Sequence, residues 1–160
     1  MNETLNAVQE ARALLENATP LKGDCGRLCR AACCAGDEET GMLLFPGEET
    51  LYEGCGFGRV VPARYSLSGR PALLFVCRGA CPRQDRPLAC RLFPLRIRLT
   101  RQGPELGMDP RSAGVCPLYP SGVSGLAPAF RDSAAQAARI LAADPVCRRF
   151  LQELDRQLTL

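Results

Sequence analysis

The chain contains no histidine and no tryptophan. Without an imidazole there is no Ser-His-Asp triad, no Cys-His pair and no histidine-ligated zinc or iron. Lysine is almost absent too, because Lys22 is the only lysine among twenty basic residues. Aromatic mass is thin, with six Phe and three Tyr. The longest apolar run, Ala72 to Cys77, falls far short of a membrane span. No C-x2-C pair occurs, which argues against the knuckles of common zinc ribbons and against a thioredoxin-like redox pair.

What the chain does have is cysteine, ten in 160 residues. At this length one domain is expected, spanning 1–160. Residues Met1 to Asn6 show neither a basic n-region nor an apolar h-region, so no secretory signal is expected. A cytoplasmic location follows as the expectation, and glutathione keeps thiols reduced there. Many cysteines in a reducing compartment point to metal rather than to a disulfide scaffold.

Charge is distributed unevenly. Residues 31–58 carry six acids and no base, whereas residues 59–101 carry ten Arg and the single acid Asp85. A basic block can signal nucleic acid. This one lacks lysine and interleaved aromatics and is studded with cysteine, so charge compensation within the fold is expected, with no nucleic-acid and no membrane partner. Eight thiolates would carry the formal charge from +3 to −5, and two divalent ions would return it to −1. Arg78, Arg86, Arg91, Arg96 and Arg98 are placed to offset what remains, although a solvated surface Arg is the simpler reading of any one of them.

Apolar spacing predicts a helix over 4–17, stopped by Pro20. Short strands are expected at 42–45 and 73–77. A strand with one basic face is expected at 95–99, where apolar and Arg residues alternate. Pro46 to Glu49 resembles a helix start with acids in its first turn, and Asp37, Glu38, Glu39, Glu48 and Glu49 read as solvated. Residues 102–128 read mostly as loop. Residues 129–143 are Ala-rich and helical, and Asp144-Pro145 opens a last helix to about Leu158. The expected fold is therefore α+β: a small, mostly helical domain with short strands and a metal-stapled, cysteine-rich centre. Flanking helices occupy 1–20 and 128–160, around a metal-binding region at 22–117.

The cysteines fall in two clusters. The first is Cys25-x3-Cys29-x3-Cys33-Cys34. On a helix its first three sulfurs would share a face, but i and i+8 lie roughly 12 Å apart along the axis, so one ion cannot reach all three unless the segment bends. Two centres, or a turn, satisfy the spacing. The second cluster is Cys77-x3-Cys81, then Cys90, then Cys116, with Cys81 and Cys116 each followed by Pro as at the end of a bacterial ferredoxin run. Cys55 sits among glycines, as an extra ligand or an exposed thiol. Cys147 reads as a packed core cysteine.

Cys25 to Cys34, the Cys77/Cys81 pair and the stretch Arg86-Pro87-Leu88-Ala89-Cys90-Arg91-Leu92-Phe93-Pro94 resemble the YkgJ-type CxxCxxCC family, described as a zinc- or iron-chelating domain with eight characteristic cysteines. The R-P-x-x-C-R-x-F-P stretch is the more specific part. The resemblance covers roughly residues 22–117 and implies metal ligands at Cys25, Cys29, Cys33, Cys34, Cys77, Cys81, Cys90 and Cys116. Both gaps of the first cluster hold three residues where the family pattern has two. The implied cofactor is zinc or an iron–sulfur cluster, in a structural, metal-handling or electron-transfer role. The alternative is a metal- or iron–sulfur-dependent enzyme or accessory, an oxidoreductase or a protein related to protein methylation. Phe93-Pro94 would then be part of an apolar lid over the centre.

Three weaker patterns are set aside. Gly54-x-Gly56-x-Gly58 misplaces the third glycine of a dinucleotide loop, and Ser124 lacks the closing glycine of a nucleophile elbow. The first cysteine cluster is one residue too long for radical-SAM spacing.

Overall fold

The computed structural model describes residues 2–21, 41–79 and 81–158. Helix α1 spans Asn2–Leu14 because Val8 and Ala11 recur on one face, with Leu15 just beyond, all three fully buried. After a connection through residues outside the description, β1 (Met42–Leu43) pairs with β3 (Arg70–Cys77), which pairs in turn with β2 (Gly58–Leu67). All pairings are antiparallel, and the sheet order is β1-β3-β2. Strands β2 and β3 join through Ser68-Gly69, both at positive φ (55° and 75°), the geometry of a tight primed hairpin turn.

A short helix α2 (Leu88–Leu92) then leads into a separate hairpin of β4 (Leu95–Thr100) and β5 (Gly103–Met108). Single 3-10 turns carry the chain to α3 (Pro128–Ala143) and α4 (Pro145–Leu158). Helix α3 buries Phe130, Ala134, Ala137, Ala138 and Leu141. Its small side chains let α1 lie on it, and it packs against β5 as well. Helix α4 buries Cys147, Phe150, Leu151 and Leu154, and it meets α3, β4 and β2. The Asp144 carboxylate caps α4, accepting the Cys147 N–H at 2.8 Å, while the Thr4 hydroxyl of α1 donates to the same carboxylate.

The described residues thus form one small α+β domain, 47% helical and 23% strand. Helix outweighs strand as expected. The expected helices are present at both ends, with the first three residues shorter at its C-terminal edge. Two strands depart from expectation. Strand β2 lies where no element was expected: Pro62 interrupts the apolar pattern, and an edge strand tolerates a proline that an inner one would not. Strand β5 lies inside the stretch read as loop, because Gly103, Pro104 and Gly107 hide it. Among the described residues no helix is long and apolar enough to cross a membrane.

Candidate metal centre

The stretch Gln84 to Cys90 is tied down by side chains from three other parts of the chain. Glu48 opens the 3-10 turn Glu48–Tyr52 and is 0% exposed. Its backbone N–H donates to the Phe45 carbonyl while its own carboxylate accepts the Phe45 N–H at 3.0 Å, a reciprocal cap. The other carboxylate oxygen accepts the Leu88 N–H at 2.7 Å, so Glu48 also caps the start of α2 from forty residues away. Arg12, from the last turn of α1, sets its Nε 3.5 Å from that oxygen. Its Nη2 donates to the Tyr52 hydroxyl at 3.1 Å and to the Arg86 carbonyl at 3.2 Å. Tyr52 donates in turn to the Asp85 carbonyl at 2.6 Å.

Arg91, next to Cys90, closes the arrangement from inside. Its guanidinium donates to the carbonyls of Arg86 (2.7 Å), Arg12 (2.7 Å) and Gln84 (2.8 Å). The Arg12 carbonyl lies at the C-terminal end of α1, where the helix dipole favours a cation. The backbone of 84–88 is thereby fixed by four side chains.

Burial pushes the Glu48 carboxyl above its ordinary value, against the pull of the Leu88 and Phe45 N–H bonds and of Arg12 and Arg91. Burial likewise pushes the Tyr52 phenol up, helped by Glu48 and by the sulfur of Cys90. Burial draws the Arg91 guanidinium down, and repulsion from Arg12 adds to this. Arg12 and Arg91 face the carboxylate of Glu48, and Arg91 also feels that of Glu16, so the charges of this anchor are balanced.

Of the eight expected ligands, Cys25, Cys29, Cys33 and Cys34 lie outside the described residues. Cys77 ends β3 and packs against a small cluster of Leu44, Tyr52 and Phe75. Cys81 lies just before the 3-10 turn Arg83–Asp85, Cys90 rides on α2, and Cys116 donates its N–H to the Ser112 carbonyl at 2.8 Å beside the main core. All four are half-buried. No disulfide joins any two of the described cysteines, and among the described residues no three Cys, Asp or Glu side chains converge on one point. Cys55 packs against the same cluster as Cys77, and its thiol donates to the Gly58 carbonyl at 3.4 Å. Cys147 is fully buried, and burial pushes its thiol up to about 12.

The arginines expected to offset thiolate charge are not one class. Arg91 is buried and serves backbone carbonyls. Arg78 donates to the Gly56 carbonyl at 3.1 Å, and Arg96 pairs with Asp155 at 3.2 Å. Arg98 is exposed. Glu48 corrects the reading of that acid as solvated. Its burial is decided by Leu88 and Arg12, far away in sequence, and only its place just after Pro46-Gly47 hinted at a cap. Arg12 and Tyr52 carried no local signal at all. Comparison with family models, characterised proteins and solved structures returned no significant match for this chain.

Proposed function

We propose that this protein binds a metal through cysteine thiolates, as zinc or an iron–sulfur cluster, in a structural, metal-handling or electron-transfer role. The ligands are Cys25, Cys29, Cys33, Cys34, Cys77, Cys81, Cys90 and Cys116. The observation that carries the reading is the mounting of Cys90. It stands half-buried on a helix whose approach is pinned by Glu48, Arg12, Tyr52 and Arg91. Such rigidity suits a sulfur that must hold a fixed position as a metal ligand. The four ligand cysteines within the description are half-buried, unlike Cys147, which is sealed in the core as a protonated thiol. The donors are soft and contain no imidazole, which suits zinc or iron–sulfur and disfavours calcium or magnesium.

A zinc ion closed by four thiolates supplies folding energy alone, whereas an iron–sulfur cluster adds one-electron transfer. The residues around Cys90 hold the ligand backbone in either case. Purification without oxygen, followed by elemental analysis and a visible spectrum, tests the reading. Oxygen is excluded because zinc replaces lost iron in thiolate sites. Stoichiometric zinc, or iron with acid-labile sulfide and a broad visible band, is the expected result. A folded protein with neither metal would overturn it.

A further inference from the structure

Beside α2, residues Ala89, Leu92 and Phe93 form part of the wall of a cavity of about 400 Å3. Most of the remaining apolar wall comes from β1, β3, β4 and α4, among them Met42, Leu74, Leu95, Ile97, Leu151 and Leu154, and Val115 adds to it from a loop. This volume lies within the range of small-molecule sites and corresponds to roughly thirteen liquid waters. The lining is too apolar to hold that many waters well. Polar groups on the wall are few: Tyr65, Arg96, Asp109 and Arg111. The Asp109 carboxylate is taken by Arg111, accepting its backbone N–H at 2.8 Å and its guanidinium at 2.5 to 3.2 Å.

Arg96 differs. Its side chain is only 15% exposed, and Nη1 meets Asp155 at 3.2 Å. Its Nε–H is buried and has no hydrogen-bond partner among the described residues. An orphaned charged donor is costly inside a protein, and this one belongs to a residue on the wall of an apolar cavity. Arg111 is matched by Asp109 and Arg96 meets Asp155 through Nη1, so the donor left for an anion is the Arg96 Nε–H.

We propose that this cavity binds an amphipathic carboxylate of medium length, such as an acyl chain of eight to ten carbons. The hydrocarbon lies among the Leu, Ile and Phe side chains, and the carboxylate accepts the Arg96 Nε–H. None of the described ligand cysteines lines this cavity, and the proposal does not depend on a metal being bound.

The test is calorimetric titration of the whole chain with octanoate and with octan-1-ol, which share a tail and differ in charge. Octanoate is expected to bind once per chain, with the alcohol about tenfold weaker or more, the usual worth of a charge-assisted hydrogen bond. Arg96→Gln is expected to abolish that difference. Val115→Trp, at a wall residue that is 40% exposed, is expected to block both ligands while leaving the fold intact by circular dichroism. If Arg96→Gln fails to fold, the two-ligand comparison on the unsubstituted chain and Val115→Trp still decide. Absence of saturable octanoate binding, equal binding of acid and alcohol, or octanoate binding indifferent to Val115→Trp would each overturn the proposal.

Discussion

Replacing Glu48 by Ala removes a side chain that accepts hydrogen bonds from two separate backbone segments. The Phe45 and Leu88 N–H groups, bonded at 3.0 and 2.7 Å, would lose their acceptor in a region closed to water. Each buried orphan donor costs about 1–3 kcal/mol. Arg12, 3.5 Å away, would lose its partner, although the relief of desolvating a carboxylate offsets part of that loss. Breaking one side of such a buried arrangement costs about 3–5 kcal/mol, and that figure is the expected one. Urea unfolding followed by circular dichroism, at equal metal loading for every variant, measures it. With an m-value of about 2 kcal/mol/M, the midpoint should fall by roughly 2 M.

The neighbouring acid is the control: Glu49→Ala should shift stability by less than about 0.5 kcal/mol, as surface changes do. The pH dependence has a definite sign. Burial raises the Glu48 pKa above 4.5 in the folded state, so the folded chain holds its proton more tightly than the unfolded one. The stability margin over Glu48→Ala should therefore narrow as pH rises from 4.5 through the raised value. A loss below about 1 kcal/mol, or equal losses for Glu48→Ala and Glu49→Ala, would refute the picture of an anchored segment before Cys90.

Three further outcomes follow from the same packing. Asp144→Ala should cost about 1 kcal/mol as a lost helix cap. Slight burial raises the Asp144 pKa, but the Cys147 N–H and the Thr4 hydroxyl outweigh it and leave the value below 3.8. The cap's contribution is thus complete above pH 3.8 and disappears as pH falls through the folded value, so acid unfolding curves of variant and parent should converge there. Gly58→Ala would drive a methyl group into the Phe75 ring and to 2.7 Å from the Val76 carbonyl, and urea unfolding should show a loss of about 1–3 kcal/mol. Cys147, buried and with its thiol pushed up to about 12, should resist iodoacetamide at pH 8 until the chain unfolds, as mass spectrometry of timed samples would report.

The parts of the fold that were legible in the sequence are those whose pattern is local. Val8 and Ala11 announce α1 by their spacing, Asp144-Pro145 announces α4 by its chemistry, and the alternation of Leu95 to Leu99 announces β4. Strand β2 was not legible because Pro62 and a bulge before Ser66 break its alternation, and only its position at the sheet edge makes that acceptable. The Glu48 anchor was not legible for a different reason. An acid among acids looks solvated until the chain brings Arg12 and Leu88 to it, and no window of sequence contains all three. Arg91 looked like a counter-charge for sulfur, yet its donors are spent on the carbonyls of Gln84, Arg86 and Arg12. It holds the backbone that leads into Cys90. The cavity beside α2 draws its wall from six elements and has no motif at all.

Metal content of single-cysteine variants tests the central claim most directly. The unsubstituted chain, Cys90→Ser, Cys29→Ser and Cys147→Ser would be purified anaerobically and analysed for zinc, iron and sulfide per chain. The account predicts a sharp drop in bound metal for Cys90→Ser and Cys29→Ser and full retention for Cys147→Ser. The same stoichiometry in all four proteins would contradict it.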